Sequence, residues 1–389
     1  MPAMEKFRVL SLINPISYPR IGGIIRFADA NGWSLTIHDR LFGRQPTTSY
    51  DGVLVTLREN MDVVKYVRAL RRRHIPVVDL TVERPEIHIP RVISDHNEIG
   101  RVAGRHFAER GFTNVAWFST RWSNVHRLRY VGLSEVCANP PTAFVPQKHV
   151  SSDGREIARW VAALRKPVAL LAYDETDAQF LVNVCLDAQM TVPDEVAVLA
   201  IGNDPLVTRY QPMPISYIGL NPERNGYAAA ALLDRLMRGG EAPEKPIMIK
   251  PDGISVRKST DTYAHENRMI RKVLLYIRDN MSHPFGAEQI AEALGESRSR
   301  LDKTCAADFG HSLGKEILQR RLVEAKRLLK TTDLQIAEIA SSCGFCSSAY
   351  FVERFRAVTG LTPRHWRVMQ GGHAHAHSAS MPASNRQRA

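Results

Sequence analysis

Basic and hydroxyl side chains alternate in the segment 297–304 (SRSRLDKT). Arginine and lysine donate hydrogen bonds to guanine edges and to phosphates, and hydroxyl groups can reach either. A second segment, 347–356 (SSAYFVERFR), combines small, hydroxyl, acidic and basic side chains. A glutamate, as in the second segment, can accept a hydrogen bond from the cytosine amino group. Both segments therefore carry side chains that could read DNA base edges.

The two segments belong to one motif that occurs twice. The first copy, 290–310, reads IAEALGESRSRLDKTCAADFG, and the second, 339–360, reads IASSCGFCSSAYFVERFRAVTG. Each copy has an Ile-Ala pair, then a glycine, and ends on another glycine. A short helix, a glycine turn and a second amphipathic helix, used twice, predict a tandem helix-turn-helix.

In a helix-turn-helix the second helix enters the major groove, so its outward side chains meet the bases. We expect these helices to start near Ser297 and Ser347. The predicted inward positions are Leu301, Cys305 and Phe309 in the first copy and Phe351 and Phe355 in the second. The predicted DNA-contacting positions are Arg298, Ser299, Arg300, Lys303 and Thr304 in the first copy, and Ser347, Ser348, Ala349, Glu353, Arg354 and Arg356 in the second.

Positive charge is concentrated in the same part of the chain. The 389 residues carry a net charge of +12, and residues 268–370 hold 17 Lys/Arg against 11 Asp/Glu. With Arg386 and Arg388 the segment 268–389 reaches +8, which leaves +4 for the longer segment before it. A basic excess beside the repeat is typical of phosphate binding, although a generic solvated face would also produce it.

The segment 7–257 alternates apolar strand patterns with helical patterns. FRVLSLIN (7–14), GVLVTL (52–57), VALLAY (168–173) and EVAVLAI (195–201) are typical of buried strands. Continuous apolar strands separated by helices predict parallel sheets covered on both faces, here as two doubly wound subdomains. The sequence contains no run of about 18 apolar residues, so we expect no membrane span. We also expect no secretion, because the N-terminal residues lack the pattern of a signal peptide.

A change of pattern marks the predicted domain boundary. KSTDTYAHEN (258–267) is polar and without periodicity, so we expect a linker between a domain at 1–257 and one at 268–370. The second domain is predicted to be all-α, with its two motifs at about 287–309 and 336–359. The small and polar tail, 371–389, is expected to be disordered.

The sequence GFCSSAYFVERFRAVTGLTPRHWR (344–367) resembles the signature of the AraC/XylS transcription regulators. That signature is a Gly-Phe pair, a Tyr-Phe pair, a Phe followed by Lys or Arg, and a closing Gly-x-Thr-Pro-x-x-[Tyr/Trp]-Arg. The stretch GHSLGKEILQRRLVEAKRLL (310–329) resembles that family's linker helix. The resemblance covers about 100 residues and implies base-facing positions at Ser299, Lys303, Ser348, Ala349 and Glu353.

Residues 7–257 resemble the sugar-sensing core of the LacI/GalR repressors, which has the periplasmic-binding-protein fold. RVISDHNEIGRVAGRHFAERGFTNVAWFS (91–119) and NGYAAAALLDRL (225–236) carry the likeness, without that family's N-terminal DNA-binding helices. The expected fold class is therefore α/β: a two-lobed sensor of doubly wound parallel sheets, followed by an all-α tandem helix-turn-helix domain.

Ligands in doubly wound folds bind beyond the carboxyl ends of the strands. Carboxylates and a guanidinium there can each hold two vicinal hydroxyls, although an Asp after a strand is as easily a helix cap. The resemblance implies that Asp95, Arg129 and Asp204 hold sugar hydroxyls. The candidate ligand-binding residues are Asn14, Tyr18, Asp95, Arg129, Asp174 and Asp204, with Arg20 as a weaker one.

Several other chemistries find no support in the sequence. Ile21-Gly-Gly-Ile lacks the further glycines of a dinucleotide site, and Cys343-Gly-Phe-Cys346 lacks the βαβ context of a redox motif. We therefore expect no cofactor, no metal and no enzyme activity. The rival hypotheses are a sugar-binding transport receptor and a DNA repair enzyme, which would need a reactive cysteine such as Cys137 or Cys185.

Together these patterns predict a cytoplasmic, dimeric, sugar-responsive regulator that binds double-stranded operator DNA and no membrane. It is expected to be an activator, with RNA polymerase as a further partner, and a repressor is the alternative. The same joining of modules occurs in xylose-responsive regulators, so D-xylose is one candidate effector and another sugar or sugar-like metabolite is the alternative.

Overall fold

The chain forms two compact units, residues 1–264 and residues 265–389, which are described one at a time. The structure is a computed structural model. It describes residues 7–38, 49–58, 61–120, 123–144, 154–202 and 213–369.

The first unit has two lobes, and a parallel sheet forms the centre of the first lobe. Four strands pair in the order β2-β1-β3-β4, and a parallel bridge between Asp79 and Arg91 leads on to the pair β5-β11. Residues 53–55 are fully buried, as strands covered on both faces must be. The strands are β1 (Arg8–Leu12), β2 (Ser34–His38), β3 (Gly52–Val55), β4 (Val77–Asp79), β5 (Val92–Ser94) and β11 (Ile247–Ile249).

Helices cover both faces of this first sheet. The helices α1 (Tyr18–Ala30) and α7 (Pro222–Met237) pack on one face, and α2 (Met61–Arg72) packs on the other. Helix α2 is amphipathic because its apolar residues recur every three or four positions and are the ones that become buried. An acidic residue in its first turn and arginines in its last turn suit the helix dipole.

The second lobe repeats the arrangement around six strands in the order β12-β10-β9-β8-β6-β7, of which only β12 is antiparallel to its neighbour. Its strands are β6 (Asn114–Phe118), β7 (Thr142–Phe144), β8 (Val168–Ala172), β9 (Val196–Ile201), β10 (Ser216–Gly219) and β12 (Gly253–Ser255). Its helices are α3 (His96–Glu109), α4 (Asn124–Ser134), α5 (Gly154–Ala163) and α6 (Glu175–Asp187), with the first two on one face and the last two on the other.

Along the described residues the chain passes between the lobes three times, after β5, after β10 and after β11. Each lobe is therefore built from non-contiguous parts of the sequence. The predicted fold class, a two-lobed α/β sensor with doubly wound parallel sheets, is confirmed.

The described part of the second unit is entirely helical. The long helix α11 connects the two predicted motifs, and its buried Leu322, Ala325 and Leu329 pack against Phe351 and Phe355 of the second motif. The helices are α8 (Arg268–Asp279), α9 (Ala287–Leu294), α10 (Arg298–Phe309), α11 (Leu313–Thr331), α12 (Ile336–Ser342), α13 (Ser348–Thr359) and α14 (Pro363–Met369).

The structure corrects the start of the linker expected at 258–267. Lys258–Thr260 is a 3-10 helix packed into the second lobe, and Ser259 and Thr260 are fully buried. The Ser259 hydroxyl donates to the carbonyl of Val198 (2.6 Å) and accepts from the amide of Ser216 (2.8 Å). A polar segment can be buried when its hydroxyls find such partners, so the first unit continues to Ala264. The tail at 371–389 lies outside the described residues.

Facing glycines bring two helix pairs into backbone contact. A Cβ atom on Gly23 of α1 would lie 2.0 Å from the carbonyl oxygen of Glu223, and one on Gly226 of α7 would lie 2.0 Å from that of Arg20. Helices α3 and α4 are in the same kind of backbone contact, where a Cβ on Gly100 would lie 2.1 Å from the carbonyl oxygen of Arg129. No larger residue fits these crossings without moving a helix.

We predict that Gly23→Ala destabilises the protein whereas Gly22→Ala does not. The added methyl at Gly23 meets backbone, which overpacks the crossing at a cost of about 1–3 kcal/mol or more. Gly22 is exposed on the same helix and has open space around it, so alanine there gains up to about 1 kcal/mol of helix propensity. Urea and thermal unfolding of the two variants measure the difference, and equal stabilities would contradict the close crossing.

Candidate functional site

The first motif is built from α9 and α10. Helix α9 ends at Gly295, whose φ of 66° is the left-handed conformation that glycine adopts without strain. Helix α10 begins after Ser297, whose hydroxyl accepts a hydrogen bond from the amide of Arg300 (3.3 Å). Leu301 and Cys305 are fully buried, and they set which side of α10 faces outward.

The second motif repeats this construction with α12 and α13. Gly344 has a φ of 71°, and the hydroxyl of Ser347 accepts from the amide of Tyr350 (3.2 Å) at the start of α13. Position by position, residues 301–310 and 351–360 show the same order of buried, half-buried and exposed side chains. The duplication in sequence is therefore a duplication of structure, and each copy presents the same face of its second helix.

The predicted DNA-contacting residues of the first motif differ in their exposure and in whether they form ion pairs within the protein. Arg298, Ser299, Arg300 and Lys303 are exposed, and Thr304 is half-buried. Arg298 forms ion pairs with Glu288 (2.6 Å) and Asp302 (2.7 Å), and Arg300 forms one with Glu296 (3.0 Å).

Arg300 and Thr304 also face a groove that they share with Arg268 and Lys272 of α8. Lys303 has no ion pair with any residue in the described ranges, so it is the cation of α10 that is most readily available to a ligand.

The second motif presents a concave surface lined mainly by small and apolar side chains, with one acidic and one basic residue among them. Four predicted residues line it: Ser348, Ala349, Glu353 and Arg356. Ser347 is exposed beside this surface, with its hydroxyl engaged in capping α13. The structure does not bring Arg354 there, since its guanidinium stacks over the ring of Tyr350, 5.1 Å from the centroid.

Sequence reasoning missed three residues of this surface, namely Val352, Ala357 and Thr362. The first two could have been found from spacing, because residues 348, 349, 352, 353, 356 and 357 share one helical face. Apolar side chains can contact the methyl group of thymine, so these residues are suited to recognising thymine. A search for polar side chains alone overlooks them.

In the first unit, residues of both lobes meet at the carboxyl ends of the strands. We call Arg20, His96, His126, Arg129 and Tyr173 the interlobe site. Arg129 of α4 is only 6% exposed, and its Nη1 donates to the carbonyl of Tyr173 (2.6 Å). Its guanidinium lies 4.7 Å from the centroid of the Tyr173 ring, on which His126 stacks at 3.9 Å. Burial lowers the pKa of Arg129, because the charged form loses its hydration.

Two of the three predicted aspartates are helix caps. The carboxylate of Asp95 accepts from the amide of Glu98 (2.9 Å) at the start of α3, and that of Asp174 accepts from the amide of Asp177 (2.8 Å) at the start of α6. Both remain beside the ends of β5 and β8. Asp204 lies outside the described residues.

The remaining predicted ligand residues lie at the end of β1. Asn14 is exposed, with its amide bonded to the hydroxyl of Thr56 (2.9 Å), and Tyr18 is 80% exposed at the start of α1. Sequence reasoning missed His96, His126 and Tyr173 of the interlobe site, and Glu83 beside it. His96 directly follows a predicted ligand residue, so its position alone was a signal. Glu83 accepts from Ser123 (2.8 Å) and so joins the two lobes, which only the fold could show.

Family models match both units. A periplasmic binding protein-like domain matches residues 105–260, and a helix-turn-helix domain matches residues 290–369. The helical unit is 31% identical over 108 residues to the HTH-type transcriptional activator AarP of Providencia stuartii, covering 80% of that protein and 28% of this chain. The chain belongs to the AraC family of transcription regulators. Its sensor is of the periplasmic-binding-protein type, and it is a regulator rather than an enzyme.

One relative extends over nearly the whole chain. The xylose operon regulatory protein of Haemophilus influenzae is 25% identical over 353 residues, which cover 86% of this chain and 90% of that protein. Among solved structures, the xylose-binding transcription activator xylR aligns with a TM-score of 0.57 at 23% identity, covering 94% of this chain and 99% of that one. At this identity the structural match establishes the shared fold.

The cysteines fit a regulator better than the rival repair enzyme. Burial raises the pKa of the Cys185 thiol to about 12 and that of Cys137 to about 11, so neither is a thiolate at neutral pH. Across the described ranges, no cluster of three or more His, Cys, Asp or Glu side chains could hold a metal. Within the same ranges no helix is long and apolar enough to span a membrane.

We predict that Lys303→Ala weakens operator binding by about 1–3 kcal/mol, because a lysine that reads a base contributes about that much. Lys65→Ala is the matched control, since it removes the same charge from an exposed site on α2 of the sensor. Fluorescence anisotropy with labelled operator DNA measures both affinities. Equal affinities for the two variants would rule out a direct role for Lys303.

Proposed function

We propose that this AraC-family regulator is a sugar-responsive activator that works as a homodimer. The observation that carries the proposal is the interlobe site, where a buried arginine lies at the strand ends of a two-lobed sensor. Sheets of this type bind small ligands at that edge, and a guanidinium can hold two vicinal hydroxyls at once. In the same chain, the duplicated helix-turn-helix binds DNA and so carries the response to the ligand.

The effector is a sugar or a sugar-like metabolite. Support comes from a relative that matches most of the chain and is named for the xylose operon, which makes D-xylose one candidate. At 25% identity, the few side chains that select one sugar over another can differ between the two proteins.

The two motifs divide the work of DNA recognition. The first supplies cations, of which Lys303 is the available one, and the second supplies the concave surface with Ala349, Val352 and Glu353. Two recognition helices in one chain can enter successive major grooves, roughly one helical turn apart. A dimer would then contact about four such segments of groove.

Control follows from a shift between conformations of the sensor. An effector that binds between the lobes stabilises the arrangement in which both lobes contact it, and its influence equals the difference between its affinities for the two states. That shift changes how the dimer presents its motifs to DNA and, for an activator, to RNA polymerase. A regulator of this kind acts in the cytoplasm, where the chromosome lies.

The proposal predicts that a sugar or sugar derivative changes operator affinity by roughly 5–150-fold, the usual range of allosteric coupling. Anisotropy titrations of the full-length protein with operator DNA, with and without each member of a panel of pentoses and hexoses and their acid and phosphate derivatives, measure the change. A DNA duplex of equal length and scrambled sequence is the control. If no member of the panel altered operator affinity, sugar control would be contradicted while DNA binding itself would stand.

Analytical ultracentrifugation of the same protein tests the dimer, and a reporter assay separates activation from repression. Reporter expression that falls when the regulator is supplied with its effector would contradict activation.

A further inference from the structure

The interlobe site contains three basic side chains with unused hydrogen-bond donors or ring nitrogens. Nε of Arg20, Nδ1 of His96 and Nε of Arg129 are buried and have no hydrogen-bond partner within the described part of the chain. Burying a polar atom without a partner costs free energy, and burying a charged one costs more. Three such atoms in one place can each take a hydrogen-bond partner from a bound ligand.

The fold brings these residues together from both lobes. Arg20 is in the first turn of α1, after β1, and His96 opens α3, after β5. The backbone of Arg129 touches α3 at Gly100, about one turn beyond His96. Burial lowers the pKa of His96 well below its ordinary value, and the nearby charges of Arg129 and Arg20 lower it further. The histidine is therefore neutral at pH 7, and the two arginines hold the positive charge.

The described carboxylates around the site, Glu175 among them, already have partners within the protein. Asp79 accepts from the amide of Leu57 (3.1 Å) and forms an ion pair with Arg91 (3.1 Å). Glu83 accepts from the hydroxyl of Ser123 and the amide of Asn124. Asp95 and Asp174, as described above, cap helices.

The chemistry of the unused groups selects the class of ligand. A sugar hydroxyl both donates and accepts, so a site for a neutral sugar must supply acceptors as well as donors. A carboxylate or phosphate only accepts, and its charge offsets the desolvation of two guanidinium groups, which match its oxygens in bidentate geometry.

We propose that the effector carries an anionic group, a carboxylate or a phosphate, bound by Arg20, His96 and Arg129. The inference rests on the proposed function and narrows its effector to an acidic sugar derivative. Such a molecule is formed from the free sugar in one reaction class, either oxidation of an aldose to its acid or phosphoryl transfer to a sugar hydroxyl. The effector would then be an early product of sugar metabolism rather than the free sugar.

The test compares matched ligands with the full-length protein. Isothermal titration is carried out with D-xylose, D-xylonate and D-xylose 5-phosphate, and with D-glucose, D-gluconate and D-glucose 6-phosphate. We expect at least one anion to bind at least about tenfold more tightly than its neutral parent, since a charge-assisted hydrogen bond contributes at least that factor. The acid and phosphate arms show which anionic group the site takes.

Variants connect the binding to the site. Arg20→Gln is expected to weaken binding of the anion by roughly 10–100-fold, and to weaken it more than binding of the neutral sugar. Arg26→Gln removes the same charge from an exposed position of α1, where Arg26 pairs with Glu223 (2.7 Å), and should bind like the parent protein. Arg129→Lys keeps a charge at the buried position but loses the planar fork, so it should also weaken anion binding.

The results separate this inference from the proposed function. If a neutral sugar bound more tightly than both of its anions and shifted operator affinity, the anionic effector would be wrong and the sugar-responsive regulator would stand. Failure of every anion to bind, or equal anion affinity in Arg20→Gln and Arg26→Gln, would also overturn the inference. Loss of operator binding under all conditions would instead contradict the DNA-reading part of the function.

Discussion

The burial of the Arg129 guanidinium is the constraint around which the sensor is arranged. A permanent charge removed from water needs compensation, and here a carbonyl oxygen and the aromatic face of Tyr173 supply part of it. The group can reach them only because α4 lies in backbone contact with α3, which requires Gly100 and Gly132. The close packing of α3 on α4 therefore fixes the position of the buried Arg129 charge.

Helix α3 extends from this site to the end of the sensor. His96 opens the helix among the basic side chains, and at its other end His106 contacts the hydroxyl of Thr260 (3.1 Å). Arg110, which caps the helix, accepts from the amide of Ala264 (2.8 Å), the last residue of the unit. Burial lowers the pKa of His106 to about 3, so this anchor stays uncharged across physiological pH. One rigid element therefore touches both the candidate effector site and the residues that lead to the DNA-reading unit.

The two DNA-reading motifs share a scaffold and differ in surface chemistry. Their second helices bury the same positions, yet the first presents arginines held by carboxylates and an available Lys303, whereas the second presents Ala349, Val352 and Glu353. Core positions of a small motif admit few solutions, while exposed positions are free to diverge. After duplication and such divergence, one copy can present positive charge to DNA, and the other can present a concave surface that is complementary in shape.

The sequence by itself determined the two fold types, the duplicated motif and the faces of its helices, because these depend on local periodicity and on glycines at helix ends. It did not reveal the short strands β5, β7, β10, β11 and β12, whose three or four residues carry little pattern. Nor did it show that Ser259 and Thr260 are buried, since their composition is that of a loop. The tertiary structure alone decided that Arg298 also pairs with Glu288 of the preceding helix, whereas Lys303 has no ion pair among the described residues, and that His96 joins Arg20 and Arg129. The physical reason is that ion pairs and desolvation arise between residues distant in sequence, which only the fold brings within reach of one another.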